Sequence, residues 1–357
     1  MKRRTFLTLS GALAATSVSA TPANEPEFSW KMVTSWPKNS PGPGLTAERL
    51  AERITAMSNG RLTVKVYGAG ELVPALEVFD AVSRGTAELG HTAALFWRGK
   101  IPASVFFTAV PFGLTPDEHA AWIYHGGGQA LWDELYSGFG LRGLMAGNTG
   151  MGMGGWFKRE INSLEDIQGL KYRIPGLGGD ILQRMGATPV VLPPGEIFSA
   201  LQAGLVDGAE WVGPWSDMAL GLYKAAPYYY WPGFHEPNGT GECLINLQSF
   251  AKLPADLQAV VNNACAAENA YSLAEADWHN AEALATLVNE HGVKVRAFPE
   301  AVISAARAAA ADVLAEFGKG DPMSQRIYTA FEAARQRAMG WSRISTLAFL
   351  KARDENA

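Results

Sequence analysis

The chain has 357 residues, 48% of them hydrophobic and 18% charged, with a net charge of −5 at neutral pH. That acidic balance argues against nucleic acid and anionic membrane surfaces as partners. Beyond the first 20 residues no run of about 20 apolar residues occurs, so no spanning helix is expected there. The length suits one large domain or two lobes of ordinary size.

Met1 to Ala20 reads as an export signal, with Lys2-Arg3-Arg4 as the charged start, Phe6 to Val18 as the apolar run and Val18-Ser19-Ala20 as the cleavage site. Arg3-Arg4 followed by Thr5-Phe6-Leu7 matches a twin-arginine signal; an ordinary Sec signal that happens to hold two arginines is the other reading. Cleavage after Ala20 removes three positive charges and takes −5 to −8. The expected location is the periplasm. Cys243 and Cys265 are the only cysteines, too few for a disulfide scaffold, and both are read as free buried thiols.

Residues 28–34 alternate as a strand does, and the prolines at 37, 41 and 43 mark a loop. Leu45, Leu50, Ile54 and Met57 form one face of a helix ending at Asn59-Gly60. Leu62 to Tyr67 is a second strand, a helix runs from Pro74 to Gly85, and Ala87 to Ala93 is a third strand. The alternation predicts an α/β sheet of parallel strands. EVFDAVSRGTAELG (77–90) then aligns without gaps on EIFSALQAGLVDGA (196–209), matching Glu77/Glu196, Phe79/Phe198, Ala81/Ala200 and Gly85/Gly204. Each copy reads as a helix closed by a left-handed glycine and followed by a strand. Leu257 to His291 predicts a helix of more than 30 residues, long enough to cross two lobes; Ala301 to Phe317 and Arg326 to Leu350 add helices around a turn at 318–322. The expected architecture is a two-lobed α/β clamshell with a helical tail. Lobe I takes 27–148 plus about 241–285, and lobe II takes 149–240 plus about 286–357.

Enzyme signatures fail in context. His125-Gly126-Gly127-Gly128 resembles an oxyanion-hole segment, but no G-x-S-x-G accompanies it, and a glycine-rich turn is the better account. Ser35-x-x-Lys38 and Ser249-x-x-Lys252 lack their partner motifs, and the six histidines show no metal-ligand spacing. Recognition chemistry remains. Phe96-Trp97, Trp156-Phe157, Trp211, Trp215 and Tyr228 to Trp231 supply aromatics, some for the core and some to wall a pocket. Arg173, ending a strand before Pro175-Gly176, is the natural anchor for a carboxylate. Glu210 beside it has two readings: ligand to a hard cation that bridges to the bound acid, or ion-pair partner of Arg173.

Several motifs resemble the solute-binding proteins of TRAP transporters, the DctP family, over nearly the whole mature chain: Gly70-Glu71-Leu72-Val73-Pro74, Asn148-Thr149-Gly150, Met153-Gly154-Gly155-Trp156-Phe157, Gln168-Gly169-Leu170-Lys171, Glu210-Trp211-Val212-Gly213-Pro214 and Ala226-Pro227-Tyr228-Tyr229-Tyr230. Within that family the chain is most similar to the branch binding 2-oxo and 2-hydroxy monocarboxylates. The resemblance implies a periplasmic clamshell that delivers its ligand to a sodium-driven membrane permease. It places Arg173 on the ligand carboxylate, and Glu210, the Trp211 carbonyl and Glu236 on a sodium or calcium ion. Candidate ligand contacts are Arg173, Trp211, Glu236, Gly152, Asn148 and Trp97. Gly152 departs from the pattern, because that branch carries a glutamine touching ligand and cation there; the expectation is a bulkier acid, or a water in place of the amide. The alternatives are an exported lyase or hydrolase using Glu210 as base, or a sensor for a membrane kinase. The C-terminal helices at 326–350 could pair two copies or pack within one lobe.

Overall fold

The computed structural model describes residues 26–354, so the expected export signal lies outside the described residues. The chain opens with β1 (Phe28–Thr34), α1 (Pro43–Met57), β2 (Leu62–Tyr67), α2 (Val78–Ser83) and β3 (Leu89–Thr92). Helices α3 (Pro116–His125) and α4 (Gly128–Ser137) lead to β4 (Leu141–Asn148). Next come β5 (Gly155–Phe157), β6 (Lys171–Arg173), α5 (Gly176–Arg184), β7 (Thr188–Val190), α6 (Ile197–Ala203), β8 (Gly208–Ala209), α7 (Pro214–Leu220) and β9 (Tyr228–Trp231). Then follow β10 (Thr240–Asn246), α8 (Leu247–Phe250), α9 (Ala255–Asn289), β11 (Lys294–Ala297), α10 (Glu300–Phe317), α11 (Pro322–Ile344) and α12 (Thr346–Asp354).

Two sheets organise these elements, ordered β2-β1-β3-β10-β4 and β11-β9-β5-β8-β6-β7. The expected parallel pairing holds for β1 with β2 and β3, and for β6 with β7 and β8. Both sheets are nevertheless mixed: β10 runs antiparallel to β3 and β4, and β5 to β8 and β9. The cause in the first sheet is the crossing between lobes. The chain leaves along β4 and returns along β10, so the two strands lie side by side and opposed. The edge strand β11, paired with β9, is too short and polar to stand out in the sequence.

The internal repeat survives in hydrogen-bond detail. Gly85 has φ +74° and Gly204 φ +76°. Beyond them the Thr86 N–H donates to Ala81 O (2.8 Å) and the Leu205 N–H to Ala200 O (3.0 Å), the same six-residue helix closure. In each copy the next strand, β3 or β8, begins three to four residues later and ends at the cleft. Local physics sets the surroundings. Pro43 starts α1, whose Leu50 and Ile54 are fully buried, each burial contributing roughly 1.5–3 kcal/mol. The long helix is real: α9 has 35 residues and packs on β4 and α1 from one side of the molecule and α7 from the other. The tail expected with the second lobe divides between the two. α10 lies on α5, while α11 lies on α3, α4 and the segment Pro102–Phe107, where Phe331 meets Phe106 and Trp122. His125 ends α3 and Gly127 (φ +83°) makes the turn into α4. Cys243 and Cys265 are buried and free.

Candidate functional site

Arg173 is the last residue of β6, and its side chain is fully buried. Nε and Nη2 both donate to Leu192 O (3.2 and 3.0 Å), while Nη1 donates to Glu210 O (2.9 Å) and Glu210 Oε1 (2.6 Å). A guanidinium has five N–H groups; among the described residues these contacts leave one, on Nη2. Trp211 covers the group, with the Arg173 Cζ 5.8 Å from its ring centroid. The ion-pair reading of Glu210 is therefore realised, and the pair is desolvated on both sides. Such a pair is costly to break, because the survivor is a buried lone charge.

Glu210 has a second face. Its Oε2 lies 3.4 Å from His235 Nε2, and Glu210, His235 and Glu236 each bring a donor atom within 4.8 Å of the others. Glu236 is half-buried on the cleft wall. Burial, and then the charge of Glu210, hold its carboxyl well above the usual carboxylate range, against the pull of Arg173. Two carboxylates crowded this closely are the donor set that a hard cation relieves. Sequence reasoning gave His235 no role; its only signal was its place in the loop Gly233-Phe234-His235-Glu236.

Arg173, Trp211 and Glu236 floor a cleft of about 60 Å³, partly open to solvent, room for a solute of a few heavy atoms. Arg173, Trp211, Glu236 and Asn148 are brought together on its walls. Trp36, Leu95, Phe96 and His91 face them from the first-sheet side. His91 is neutral there: Trp36 Nε1 donates to its Nδ1 (2.8 Å), so Nε2 carries the proton and donates to Ala146 O (3.1 Å). Burial lowers its pKa to about 4. Asn148 Oδ1 accepts from the Gly150 N–H (2.9 Å) and Nδ2 donates to Asn238 Oδ1 (2.8 Å), which locks the crossing after β4. Contacts span the cleft: Trp36 packs on Trp211 (centroids 5.9 Å apart), Ser216 Oγ donates to Pro41 O (3.2 Å), and Arg98 pairs with Asp180.

Two expected contacts lie elsewhere. Trp97 faces the core, donating from Nε1 to Glu242 Oε1 (2.6 Å), while Tyr136 OH donates to Oε2 (3.0 Å). In the short helical turn Ala94–Trp97 adjacent side chains diverge, so Phe96 takes the cleft and Trp97 the interior. Burial raises the Glu242 carboxyl to about 8. Gly152 does not line the cleft; a Cβ there would sit 3.1 Å from Val212 O and 3.2 Å from Glu236 O, between the two loops that carry the acidic residues. Asp217 was missed. It is buried in the first turn of α7 and accepts from Val212 N–H (3.0 Å), Trp156 Nε1 (2.8 Å) and Tyr229 OH (2.8 Å), pinning the Glu210–Gly213 loop. Burial outweighs these donors and raises its pKa to about 7.

A mixed two-lobed fold with an arginine and clustered carboxylates at the crevice defines a solute-binding protein. Residues 32–321 match the family of bacterial extracellular solute-binding proteins, family 7, and the chain belongs to this DctP family of TRAP solute-binding proteins. It is 42% identical to a monocarboxylate 2-oxoacid-binding periplasmic protein of Nostoc sp., over 98% of both chains. A TRAP transporter solute-binding protein from Bordetella bronchiseptica superposes with a TM-score of 0.90 at 36% identity, covering 93% of this chain and 98% of that one. That protein is a mixed-occupancy dimer, with copurified calcium and picolinate in a bound active site versus an apo site. A periplasmic solute-binding protein from Pseudoalteromonas atlantica, with bound sodium and pyruvate, matches at TM-score 0.88 and 37% identity, over 91% of this chain and 98% of that one. The family transports and does not catalyse, so the lyase or hydrolase alternative is set aside; Glu210, held by Arg173, is also no free base. No helix among the described residues is long and apolar enough to cross a membrane.

Proposed function

We propose that this protein captures a small 2-oxo or 2-hydroxy monocarboxylate in the periplasm and hands it to the membrane subunits of a TRAP transporter. The ligand carboxylate takes the remaining Arg173 N–H, and a sodium or calcium ion held by Glu210, Glu236 and the Trp211 carbonyl engages the carboxylate and 2-oxo oxygens. One observation carries the reading: a buried arginine with one unspent donor stands at the cleft beside two carboxylates that repel each other. The relatives that bind 2-oxo acids, and those seen with sodium or calcium, support it. The lobes, divided near 148–149 and 240–241 and joined by α9, close over the acid. Isothermal titration with pyruvate, branched 2-oxo acids and aromatic acids, with and without chelator, tests the reading. Binding of a 2-oxo acid that weakens at least tenfold on chelation is expected; affinity untouched by chelation removes the cation, and no binding of any acid removes the ligand class.

The finer partner reading is a homodimer through the C-terminal helices. Trp341, Ile344 and Phe349, large apolar side chains on α11 and α12, are 68%, 70% and 64% exposed, which supports this reading. Sedimentation of the full mature chain against one truncated after Gly340 distinguishes a dimer from a monomer.

A further inference from the structure

Resting on the acid-binding reading above, we propose that Thr108 is a further ligand contact, its hydroxyl hydrogen-bonding the C2 oxygen of the bound acid. Thr108 lines the cleft and is 2% exposed, yet its Oγ1 has no hydrogen-bond partner among the described residues. A buried hydroxyl without a partner is destabilising, and native folds keep few of them. Thr46, His91, Asn148 and Thr240 line the same cleft, and each is already engaged by the protein. Thr46 Oγ1 donates to Gly42 O (2.9 Å), and both His91 nitrogens and both Asn148 amide atoms have partners. His119 Nε2 donates to Phe106 O (3.2 Å), so its Nδ1 accepts from Thr240 Oγ1 (3.1 Å), which in turn accepts from Asn238 Nδ2 (2.8 Å). The Thr108 hydroxyl stands outside this closed network.

Its position is fixed from both sides. Phe107, the residue before it, stacks between Trp122 and Trp132, with centroids 5.5 and 4.9 Å away. Asn238 Nδ2 donates to Thr108 O (2.6 Å), which ties Thr108 to the loop that carries Glu236 two residues earlier. Arg173 holds the carboxylate from the other lobe, so Thr108 belongs to the cation side of the acid, where the C2 oxygen lies. A carbonyl oxygen has two lone pairs and can meet the ion and one O–H donor together. A hydroxyl donates to a 2-oxo oxygen and accepts from a 2-hydroxyl group, so one residue serves both classes of acid.

Calorimetry of wild type, Thr108→Val and Thr108→Ser tests this, with pyruvate and lactate titrated directly in calcium-containing buffer. Propionate, which lacks the C2 oxygen, is measured by competition against pyruvate. Thr108→Val should weaken pyruvate and lactate about tenfold or more and propionate less than threefold, while Thr108→Ser stays within threefold of wild type for all three. Thermal melts of the ligand-free variants separate a ligand contact from a structural one: Thr108→Val removes an unpartnered hydroxyl, so its Tm should equal or exceed that of wild type. Unchanged pyruvate affinity in Thr108→Val, an equal loss for propionate, or a ligand-free Tm several degrees lower overturns this inference and leaves the acid-binding reading standing. Wild type that binds none of the three acids overturns both.

Discussion

In the first lobe, the residue that follows the helix–glycine–strand unit of 77–90 is His91; in the second, the residue that follows the equivalent unit of 196–209 is Glu210. His91 lies within β3 and Glu210 directly follows β8, and both are buried. His91 is a neutral, fully hydrogen-bonded imidazole that belongs to a wall with Trp36, Leu95 and Phe96. Glu210 is an ion-paired carboxylate within a cluster that includes Arg173, His235 and Glu236. One module thus yields a neutral lid and a charged floor, depending on the residue at the strand end. Concentrating the charges on one side means that they are paired and oriented before a ligand arrives. The other side brings neutral groups and excludes water, which strengthens every interaction on the floor.

That division makes distinct demands on variants. Arg173→Ala should have the largest effect, cutting affinity for every acid by about 100-fold or more and costing about 3–5 kcal/mol of stability, because Glu210 is left buried and unpaired. Calorimetry and thermal melts read the two losses; an unchanged affinity would mean that the floor does not hold the carboxylate. Phe96→Ala, on the lid, should weaken pyruvate by about tenfold or less and shift preference toward longer or aromatic acids, since it removes wall and not charge. A uniform collapse of affinity across the acid panel would erase the contrast between the halves. Gly152→Gln should be tolerated at roughly 1–3 kcal/mol, since its Cβ needs only a few tenths of an ångström from Val212 O and Glu236 O, and it should change acid affinities a few-fold.

The smallest effect on binding is expected from Glu242→Gln, whose side chain turns into the core to Trp97 and Tyr136. The Glu242 pKa is about 8 in the fold, above the ordinary carboxyl value of the unfolded chain. The native state therefore keeps a proton that the unfolded state has released. This stabilising contribution is full below about pH 4.5 and is lost as pH rises toward 8. Melts of wild type from pH 5 to 8 should show that decline, and Glu242→Gln should lessen it, Asp217 retaining its own share below about pH 7, while leaving the acid panel unchanged. His91 acts in the opposite sense: with its pKa lowered to about 4, stability falls as pH drops from about 6.5 toward 4.

Much of this was legible before folding was considered. Glycines at 85 and 204, the breaker-free run ending at Gly292 and the alternation of 28–34 each reflect local backbone preference or short-range periodicity, and they reappear as closures, a 35-residue helix and a strand. Arg173 and Glu210 were likewise visible, because ion-pairing chemistry needs those residue types, whereas the Trp211 carbonyl and Glu236 were expected at the site only from the family resemblance. What tertiary structure decided were directions and neighbours. Phe96 and Trp97 are adjacent in sequence, yet one turns to the cleft and the other to a buried carboxyl. His235 and Asp217 have no motif of their own; His235 gains its place because the returning loop meets β8, and Asp217 because α7 folds under its own loop. The antiparallel course of β10 likewise follows from the chain crossing between lobes and coming back, a long-range event that no local period encodes. Sequence determined which chemistry this protein carries; only the packing of two lobes determined which side holds the charge, because a buried charge is set by every element that closes around it.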